Sequence, residues 1–216
     1  MLYVIIALCF IAAYLIGSCN SAIIVTRLLK HEDIRNFGSK NAGLTNVLRC
    51  FGKGPALATL LADLLKGSLT IVLIRAVLKA AGFTGDMMAV SYLSGLLVML
   101  GHVFPVYYGF KGGKGVLVTA TVLLAIDPVT FSIVIPFFAL ILFITRYVSV
   151  SSMTAAVAYP IVTFIIQYCV KHMELSTVLI HTGLVCMSTV LIIYMHRTNI
   201  QRLREGTENK FSFSKK

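Results

Sequence analysis

The stretch PALATLLADLLKGSLTIVLIRAVL, residues 55–78, decides the fold class of this chain. It is longer than the ~20 mostly apolar residues that an α-helix needs to cross a bilayer. Asp63 and Lys66 interrupt it three residues apart, which places them on one face of a helix. We expect the two side chains to pair, because pairing allows both charges to lie within a membrane. The segment therefore predicts a membrane-spanning helix.

The composition extends this interpretation to the whole chain. Of the 216 residues, 58% are hydrophobic and 12% are charged, and the mean hydropathy is +0.90, which is not the profile of a soluble globular protein. The five cysteines are odd in number and form no C-x-x-C pair, so they indicate small apolar side chains instead of disulfides or a zinc site. No cationic residue precedes the first apolar run, which favours a retained first helix over a cleaved signal peptide.

Seven apolar segments predict an all-α polytopic membrane protein with seven transmembrane helices. We expect a single domain over residues 1–216, with a basic cytosolic tail over residues 198–216. The predicted helices lie at residues 2–27, 55–78, 87–107, 115–127, 129–145, 151–171 and 176–195.

The lysines and arginines are distributed unequally between the two sides of this topology. Of the 19 such residues, Arg75, Lys79 and Lys171 lie on one side, Lys66 lies within a helix, and the remaining fifteen lie on the other side. The positive-inside rule then places the N-terminus outside and the C-terminus in the cytosol. Some of this charge, including the terminal Lys-Lys pair at 215–216, is expected to serve topology and attraction to anionic lipid headgroups.

The segment GFKGGKG, residues 109–115, places four glycines and two lysines on the cytosolic side, directly before the fourth predicted helix. It is not a Walker A loop, because Tyr108 stands where the first glycine belongs and Gly115 stands where a Ser or Thr belongs. The helix at 115–127 would be only about 18 Å long, short of a ~30 Å hydrocarbon core. We expect its N-terminus to lie below the membrane surface, where free N–H groups and the helix dipole favour an anion.

Two further cytosolic segments combine cations with hydrogen-bonding side chains. The loop DIRNFGSKNAGLTNVLR, residues 33–49, offers Arg35 and Arg49 as phosphate clamps, although its Asn, Gly and Ser residues also suit a solvated loop. The tail HRTNIQRLREGTE, residues 196–208, begins with a histidine at the expected interface and otherwise suits a basic membrane-surface segment. The polar clusters thus fall on the cytosolic side, where several loops are expected to enclose one pocket for anions.

Several familiar catalytic patterns are absent from the sequence. None of the five histidines is followed by Asp at the fifth position, which excludes the pattern of acyl-CoA-dependent glycerolipid acyltransferases. Neither H-E-x-x-H nor G-x-S-x-G occurs. An enzyme with this sequence lacks an evident strong base, so its substrate must arrive activated.

Taken together, the motifs resemble those of the bacterial acyl-phosphate-dependent glycerol-3-phosphate acyltransferases. They are GS at 17–18, the 33–49 loop, GH at 101–102, GFKGGKGV, RYVS and the 196–208 tail, so the resemblance covers nearly the whole chain. It implies transfer of a fatty acyl group from acyl phosphate to the 1-position of sn-glycerol 3-phosphate, which gives lysophosphatidic acid and phosphate, the first acylation of phospholipid synthesis. It also implies a multi-pass protein of the bacterial cell membrane whose active site faces the cytosol. The implied partners are acyl phosphate, glycerol 3-phosphate and membrane lipid, without a cofactor, a metal or nucleic acid.

The same resemblance implies the residues of the site. Catalytic roles fall on His102, Lys114 and His196. We expect the glycine-rich loop and the first-loop amides to hold the acyl phosphate, and a substrate phosphate to take the hydroxyl proton. The glycerol phosphate is assigned to Arg49, Lys114, Ser149 and His196. The full set of substrate-binding residues is Ser39, Asn41, Thr45, Asn46, Arg49, Gly112, Gly113, Lys114, Gly115, Ser149, His196 and Asn199.

Two positions depart from the family pattern. Lys40 replaces the second glycine of the usual G-S-G-N, and lysine is unfavourable at positive φ, which leaves the shape of this turn open. Leu117 and Val118 stand where Ala-Thr commonly follows G-K-G-V, so position 118 offers no hydroxyl, although Thr119 is adjacent.

Two other classes of protein share some of these features. A transporter of phosphate or an organophosphate would also use glycine-lined half-helices, but seven spans do not divide into inverted repeats and the motifs lie on one side. A membrane scaffold with a lipid-headgroup patch would not require the Gly-Lys-Gly and Ser/Asn/Arg clusters together.

Overall fold

The structure, a computed structural model, describes residues 1–211. The regular elements of these residues are all helical, with no strand among them, which confirms the all-α prediction. Lys215 and Lys216, for which the sequence predicts a role at the lipid surface, lie outside the described residues. The chain divides into two compact units, residues 1–126 and the part from residue 127 onward.

The first unit is a bundle of apolar helices with the polar loops at residues 31–43 and 104–115. Two 3-10 turns, Ile34–Asn36 and Val106–Tyr108, lie within those loops. The α-helices of this unit are α1 (Leu2–Ser18), α2 (Ser21–Lys30), α3 (Leu44–Phe51), α4 (Lys53–Ala80), α5 (Met87–Val103) and α6 (Val116–Ile126).

The prediction of one uninterrupted helix at 2–27 is wrong, because the chain breaks at Cys19 and bends by 40° between α1 and α2. Asn20 has extended backbone geometry, and its Oδ1 accepts a hydrogen bond of 3.2 Å from the N–H of Ile23. Asparagine is a favoured N-cap, so it starts a new helix here. A hydropathy profile does not detect a helix cap of this kind.

Small residues allow the helices of the first unit to approach closely. A Cβ atom at Gly17 of α1 would collide with the carbonyl oxygen of Val98 in α5. A Cβ at Gly67 of α4 would collide with the hydroxyl of Thr121 in the short helix α6. Packing of this kind replaces the hydrophobic effect as the force between helices in lipid.

The second unit contains four α-helices in its described part. They are α7 (Pro128–Thr145), α8 (Val148–Phe164), α9 (Leu175–Met195) and α10 (Arg197–Arg204). A π-helical segment, Ile165–Val170, continues α8. Because α8 begins at residue 148 and not at the predicted 151, Ser149 lies in the first turn of a helix instead of in a connecting loop.

Five helical segments are long and apolar enough to cross a membrane, and the bent α1–α2 pair makes six if it is one span. α6 is apolar but has only 11 residues, about 16 Å of helix, which confirms that the segment after the glycine–lysine loop is short.

Candidate active site

The glycine–lysine loop, residues 109–115, folds back over the C-terminal end of α5. The N–H of Gly112 donates to the Val103 carbonyl and that of Gly113 donates to the His102 carbonyl, both at 3.1 Å. Positive φ occurs at Gly109 and Gly115 but not at Gly113. The loop then leads directly into α6, whose first turn carries N–H groups that favour an anion.

Gly113 is required for space and not for an unusual φ. A Cβ at this position would collide with the imidazole Nε2 of His102 and would lie 2.6 Å from the carbonyl oxygen of Ala42. His102 belongs to α5 and Ala42 belongs to the first polar loop. The glycine–lysine loop therefore packs between α5 and the first polar loop. This brings two of the predicted polar segments, residues 33–49 and 109–115, together.

Asn46 organises the first polar loop from within α3. Its Oδ1 accepts from the N–H of Ser39 at 3.0 Å, and its Nδ2 donates to the carbonyls of Phe37 at 3.0 Å and Asn41 at 3.1 Å. The side chain is buried, so these bonds satisfy the polar amide where water does not reach it. This arrangement indicates that Asn46 positions the backbone of residues 39–41.

Lys40 adopts the left-handed conformation, with φ of 57°. Its N–H donates to the Phe37 carbonyl at 2.9 Å, which closes a tight turn before Asn41. The lysine thus takes the positive φ that glycine takes more easily.

The remaining predicted residues of this loop lie on α3 or beside it. Thr45 and Arg49 are four residues apart and therefore share one face of α3, on which Arg49 is exposed. Ser39 is also exposed, whereas Asn41 is half-buried.

Arg35 is a connector between loops, contrary to its interpretation as a phosphate clamp. Its Nη1 donates to the Tyr108 carbonyl at 2.8 Å, and its Nε and Nη2 donate to the carboxylate of Asp33 at 3.0 and 2.8 Å. Arg27 donates to the same carboxylate at 2.8 Å. The hydrogen bond from Arg35, aided by Arg27, holds the pKa of Asp33 well below its usual range.

Asp63 and Lys66 form the predicted ion pair, with 3.1 Å between the carboxylate Oδ1 and Nζ. Both side chains are buried within α4. Lys66 Nζ also lies 3.2 Å from Nδ1 of His102, which is likewise buried. The cluster joins α4 to the end of α5 that carries the glycine–lysine loop.

The second unit gathers three hydrogen-bond donors on one carboxylate, that of Glu208. Oε1 accepts from the Ser149 hydroxyl at 2.8 Å and from Nδ2 of Asn199 at 2.6 Å, and Oε2 accepts from Nε of Arg202 at 2.7 Å. Sequence reasoning selected Ser149 and Asn199 but missed Glu208 and Arg202. The available signal was the scarcity of acids in this basic tail, which has two carboxylates, Glu205 and Glu208, among several potential donors.

His196 lies at the junction of α9 and α10. Its Nδ1 is 2.8 Å from the carbonyl oxygen of Ile192, one helical turn back. A carbonyl only accepts hydrogen bonds, so Nδ1 carries a proton in this arrangement.

Glu208 is expected to stabilise the protein in a pH-dependent way. Burial alone raises the pKa of Glu208, but the hydrogen bonds from Asn199, Arg202 and Ser149 outweigh burial and leave the pKa below its ordinary value of 4.5. A carboxylate with a depressed folded-state pKa contributes stability above that ordinary value, and the contribution disappears as the pH falls through the folded-state pKa.

We therefore expect Glu208→Gln to lower the thermal midpoint at pH 7 by about 3–8 °C, since it removes hydrogen bonds to a charged group. The difference from wild type should shrink progressively below pH 4.5, where the wild-type carboxyl also becomes neutral. Glu205→Gln is the control, because Glu205, the exposed residue that caps the C-terminus of α10, accepts only a local hydrogen bond from Gln201 of that helix. Equal midpoints for the two variants at pH 7 would contradict the assignment.

Comparison with known proteins places these features in one family. The chain matches the glycerol-3-phosphate acyltransferase family over residues 7–206. It is 42% identical to glycerol-3-phosphate acyltransferases of Chlorobaculum tepidum, over 95% of this chain and 96% of the relative, and of Chlorobaculum parvum, over 94% and 95%.

Two solved structures of PlsY, an integral membrane glycerol 3-phosphate acyltransferase, are also similar. The glycerol 3-phosphate form has a TM-score of 0.81 and 33% identity, and covers 96% of both chains. The lysophosphatidic acid form has a TM-score of 0.78 and 31% identity, and covers 96% of this chain and 95% of the other.

Proposed function

Since this chain belongs to the glycerol-3-phosphate acyltransferase family, it is an integral membrane enzyme that acylates glycerol 3-phosphate to lysophosphatidic acid, and we propose that its acyl donor is acyl phosphate. The acyl group goes to the 1-position, and inorganic phosphate is released. The family match spans both compact units, which supports the proposal that the chain acts as one acyltransferase domain.

One observation carries the proposal for the donor: the constrained glycine–lysine loop at the N-terminus of α6. Its glycines leave room for an anion close to the backbone, although the N–H groups of Gly112 and Gly113 bond to carbonyls of α5. Lys114 and the dipole of α6 supply the positive charge there. We assign the phosphate of the acyl donor to Gly112, Gly113, Lys114 and Gly115, together with the backbone near Ser39 and Asn41. Asn46 positions that backbone.

Each compact unit, taken by itself, offers further candidate substrate-binding residues. In the first unit, Thr45 and Arg49 share a face of α3, and we assign them, together with Lys114, to the phosphate of glycerol 3-phosphate. In the second unit, we assign to substrate binding the side chains that Glu208 gathers, Ser149 and Asn199, and the neighbouring His196.

The reaction needs no enzyme nucleophile, because acyl phosphate is a mixed anhydride with a good leaving group. The 1-hydroxyl oxygen of glycerol 3-phosphate bonds to the acyl carbon. The bond from that carbon to the phosphate oxygen breaks, and the electron pair leaves with the phosphate. The hydroxyl proton passes to a phosphate oxygen of a substrate. The protein supplies positioning and stabilises charge on the acyl oxygen and the departing phosphate.

We propose seven membrane crossings, formed by the six candidate spans and the short helix α6. The excess of lysine and arginine on one side supports an external N-terminus and a site that faces the cytosol of a bacterial cell. The exposed apolar faces of the helices are then in contact with membrane lipid.

The test of the donor is an assay with detergent-purified protein and glycerol 3-phosphate, with either palmitoyl phosphate or palmitoyl-CoA. We expect lysophosphatidic acid and free phosphate in equal amounts from palmitoyl phosphate, no product from palmitoyl-CoA, and no effect of EDTA. Product from palmitoyl-CoA alone would overturn the proposal for the donor. Solute flux in sealed vesicles without product from either donor would indicate a transporter.

A further inference from the structure

The Asp63–Lys66–His102 cluster of the first unit is not used in the reaction described above. Lys66 Nζ is surrounded by acceptors: Oδ1 of Asp63 at 3.1 Å, the Cys19 carbonyl at 3.2 Å and Nδ1 of His102 at 3.2 Å. The Gly17 carbonyl lies slightly farther away, at 3.5 Å. The cluster therefore joins the C-terminal end of α1, the middle of α4 and the end of α5.

Counting donors and acceptors determines where the protons lie. An ammonium group has three N–H donors and no acceptor. Beside its ion pair with Asp63, Nζ lies within hydrogen-bonding distance of the Cys19 carbonyl, the Gly17 carbonyl and Nδ1 of His102. Nδ1 of His102 must then be an acceptor, so the proton of the neutral ring lies on Nε2. A neutral lysine that accepted from an Nδ1–H group would leave the buried carboxylate of Asp63 without its nearest cation, which is strongly unfavourable. Nδ1 itself is 3.9 Å from that carboxylate, too far to replace the lysine as a hydrogen-bond donor.

The other side of the same imidazole contacts the glycine–lysine loop. A Cβ at Gly113 would collide with Nε2 and would lie 2.6 Å from the carbonyl oxygen of Ala42. The backbone carbonyl of His102 accepts from the N–H of Gly113 at 3.1 Å and from Nδ2 of Asn20 at 3.5 Å. The ring orientation of His102 and the path of the loop therefore depend on each other.

We propose that Lys66 is a positioning residue that fixes His102 as the neutral Nε2–H tautomer, and that this ring holds the backbone of the glycine–lysine loop in place. Its effect on catalysis rests on the proposed function of that loop. With Nδ1 accepting from Lys66 and Nε2 protonated, His102 has no lone pair for the hydroxyl proton of glycerol 3-phosphate. The role of His102 is thereby changed from a catalytic group to a support for the loop that carries Lys114.

Nitrogen-15 NMR of histidine-labelled protein tests the tautomer without any assay of turnover. Protonated and unprotonated ring nitrogens have well-separated shifts, and the His102 signals are assigned by their loss in His102→Gln. We expect one protonated nitrogen, Nε2, in wild type, and a mixture of tautomers in Lys66→Met. An imidazolium or an Nδ1–H ring in wild type would overturn the proposal, as would an unchanged tautomer in Lys66→Met.

Kinetics with palmitoyl phosphate test the effect on the loop. We expect Lys66→Met to lower kcat at least tenfold and Lys66→Arg, which keeps a charged donor, to recover most of that loss. Lys79→Met is the matched control, because Lys79 is exposed at the end of the same helix, and its kcat should stay within twofold of wild type. Wild-type kcat in Lys66→Met would contradict positioning, whereas inactive wild-type protein would contradict the proposed function only.

A second pair of variants keeps the test decisive if Lys66→Met does not fold. The amide nitrogen of glutamine reaches the position of Nε2, whereas the amide of asparagine reaches only the position of Nδ1. We expect His102→Gln to retain at least tenfold more activity than His102→Asn. Equal and complete loss in both variants, with unchanged KM for glycerol 3-phosphate and unchanged thermal midpoints, would identify His102 as a base and overturn the proposal.

Discussion

Gly113→Ala is expected to lower kcat/KM for acyl transfer at least a hundredfold. The added methyl group would occupy space that Nε2 of His102 and the carbonyl oxygen of Ala42 already take, so the glycine–lysine loop must move. A displacement of about 1 Å in a group that positions substrate is enough for a hundredfold loss. The measurement is the rate of phosphate release from palmitoyl phosphate in the presence of glycerol 3-phosphate.

Gly54→Ala is the matched control for this prediction. Gly54 lies in the first turn of α4, and a Cβ there would have no atom within 4 Å. We expect its kcat/KM to remain within twofold of wild type and its thermal midpoint to stay the same or rise slightly, since alanine is favoured over glycine in helices. Similar activity in the two variants would show that the loop tolerates a side chain at position 113 and would refute the close contact.

Lys114→Met is expected to lower kcat/KM by about two to three orders of magnitude, as the loss of a preorganised charge at a reacting phosphate usually does. Lys114→Arg should recover part of the activity, because it restores the charge with a different geometry. The assay is the same, with glycerol 3-phosphate varied at saturating palmitoyl phosphate and the reverse, so that KM and kcat are separated.

Lys111 provides the control within the same loop. It is exposed, and it is linked to the first polar loop through its backbone carbonyl, which accepts from Arg35 at 3.4 Å. Lys111→Met should therefore keep kcat/KM within threefold of wild type. A larger loss of kcat/KM in Lys111→Met than in Lys114→Met would show that Lys111, and not Lys114, contacts the phosphate.

The helical part of the fold follows from hydropathy, and most long helices begin and end within a few residues of their predicted limits. The exceptions arise where local capping or amphipathic character overrides the hydropathy signal. The Asn20 cap divides the first helix, and α3 and α10 were missed because they are short and polar. Each has only eight residues, and helices that short depend on packing with other elements for stability.

Many residues of the candidate site could be named from the sequence. The sequence did not show which of them hydrogen-bond to other parts of the protein. Arg35 and Asn46 have the same residue types as anion-binding side chains, yet their donors bind the protein itself. Glu208 was missed for the opposite reason, because a carboxylate repels phosphates and its three donors cannot be identified from residue types. Such roles depend on contacts between residues far apart in the chain, which a pattern of residue types does not encode.

The glycine contacts described for the first unit also have a consequence for motion. A helix whose glycine lies against the backbone or side chain of its neighbour has one well-fitting register, and sliding along that neighbour would bring larger residues into the same space. We therefore expect α1, α4, α5 and α6 to behave as one stiff body during turnover. Substrate entry and product exit would then depend on rearrangement of the loops at 31–43 and 104–115, on the nanosecond-to-microsecond timescale of loops. Within the first unit, we therefore expect the membrane helices to stay rigid relative to one another while the polar loops move.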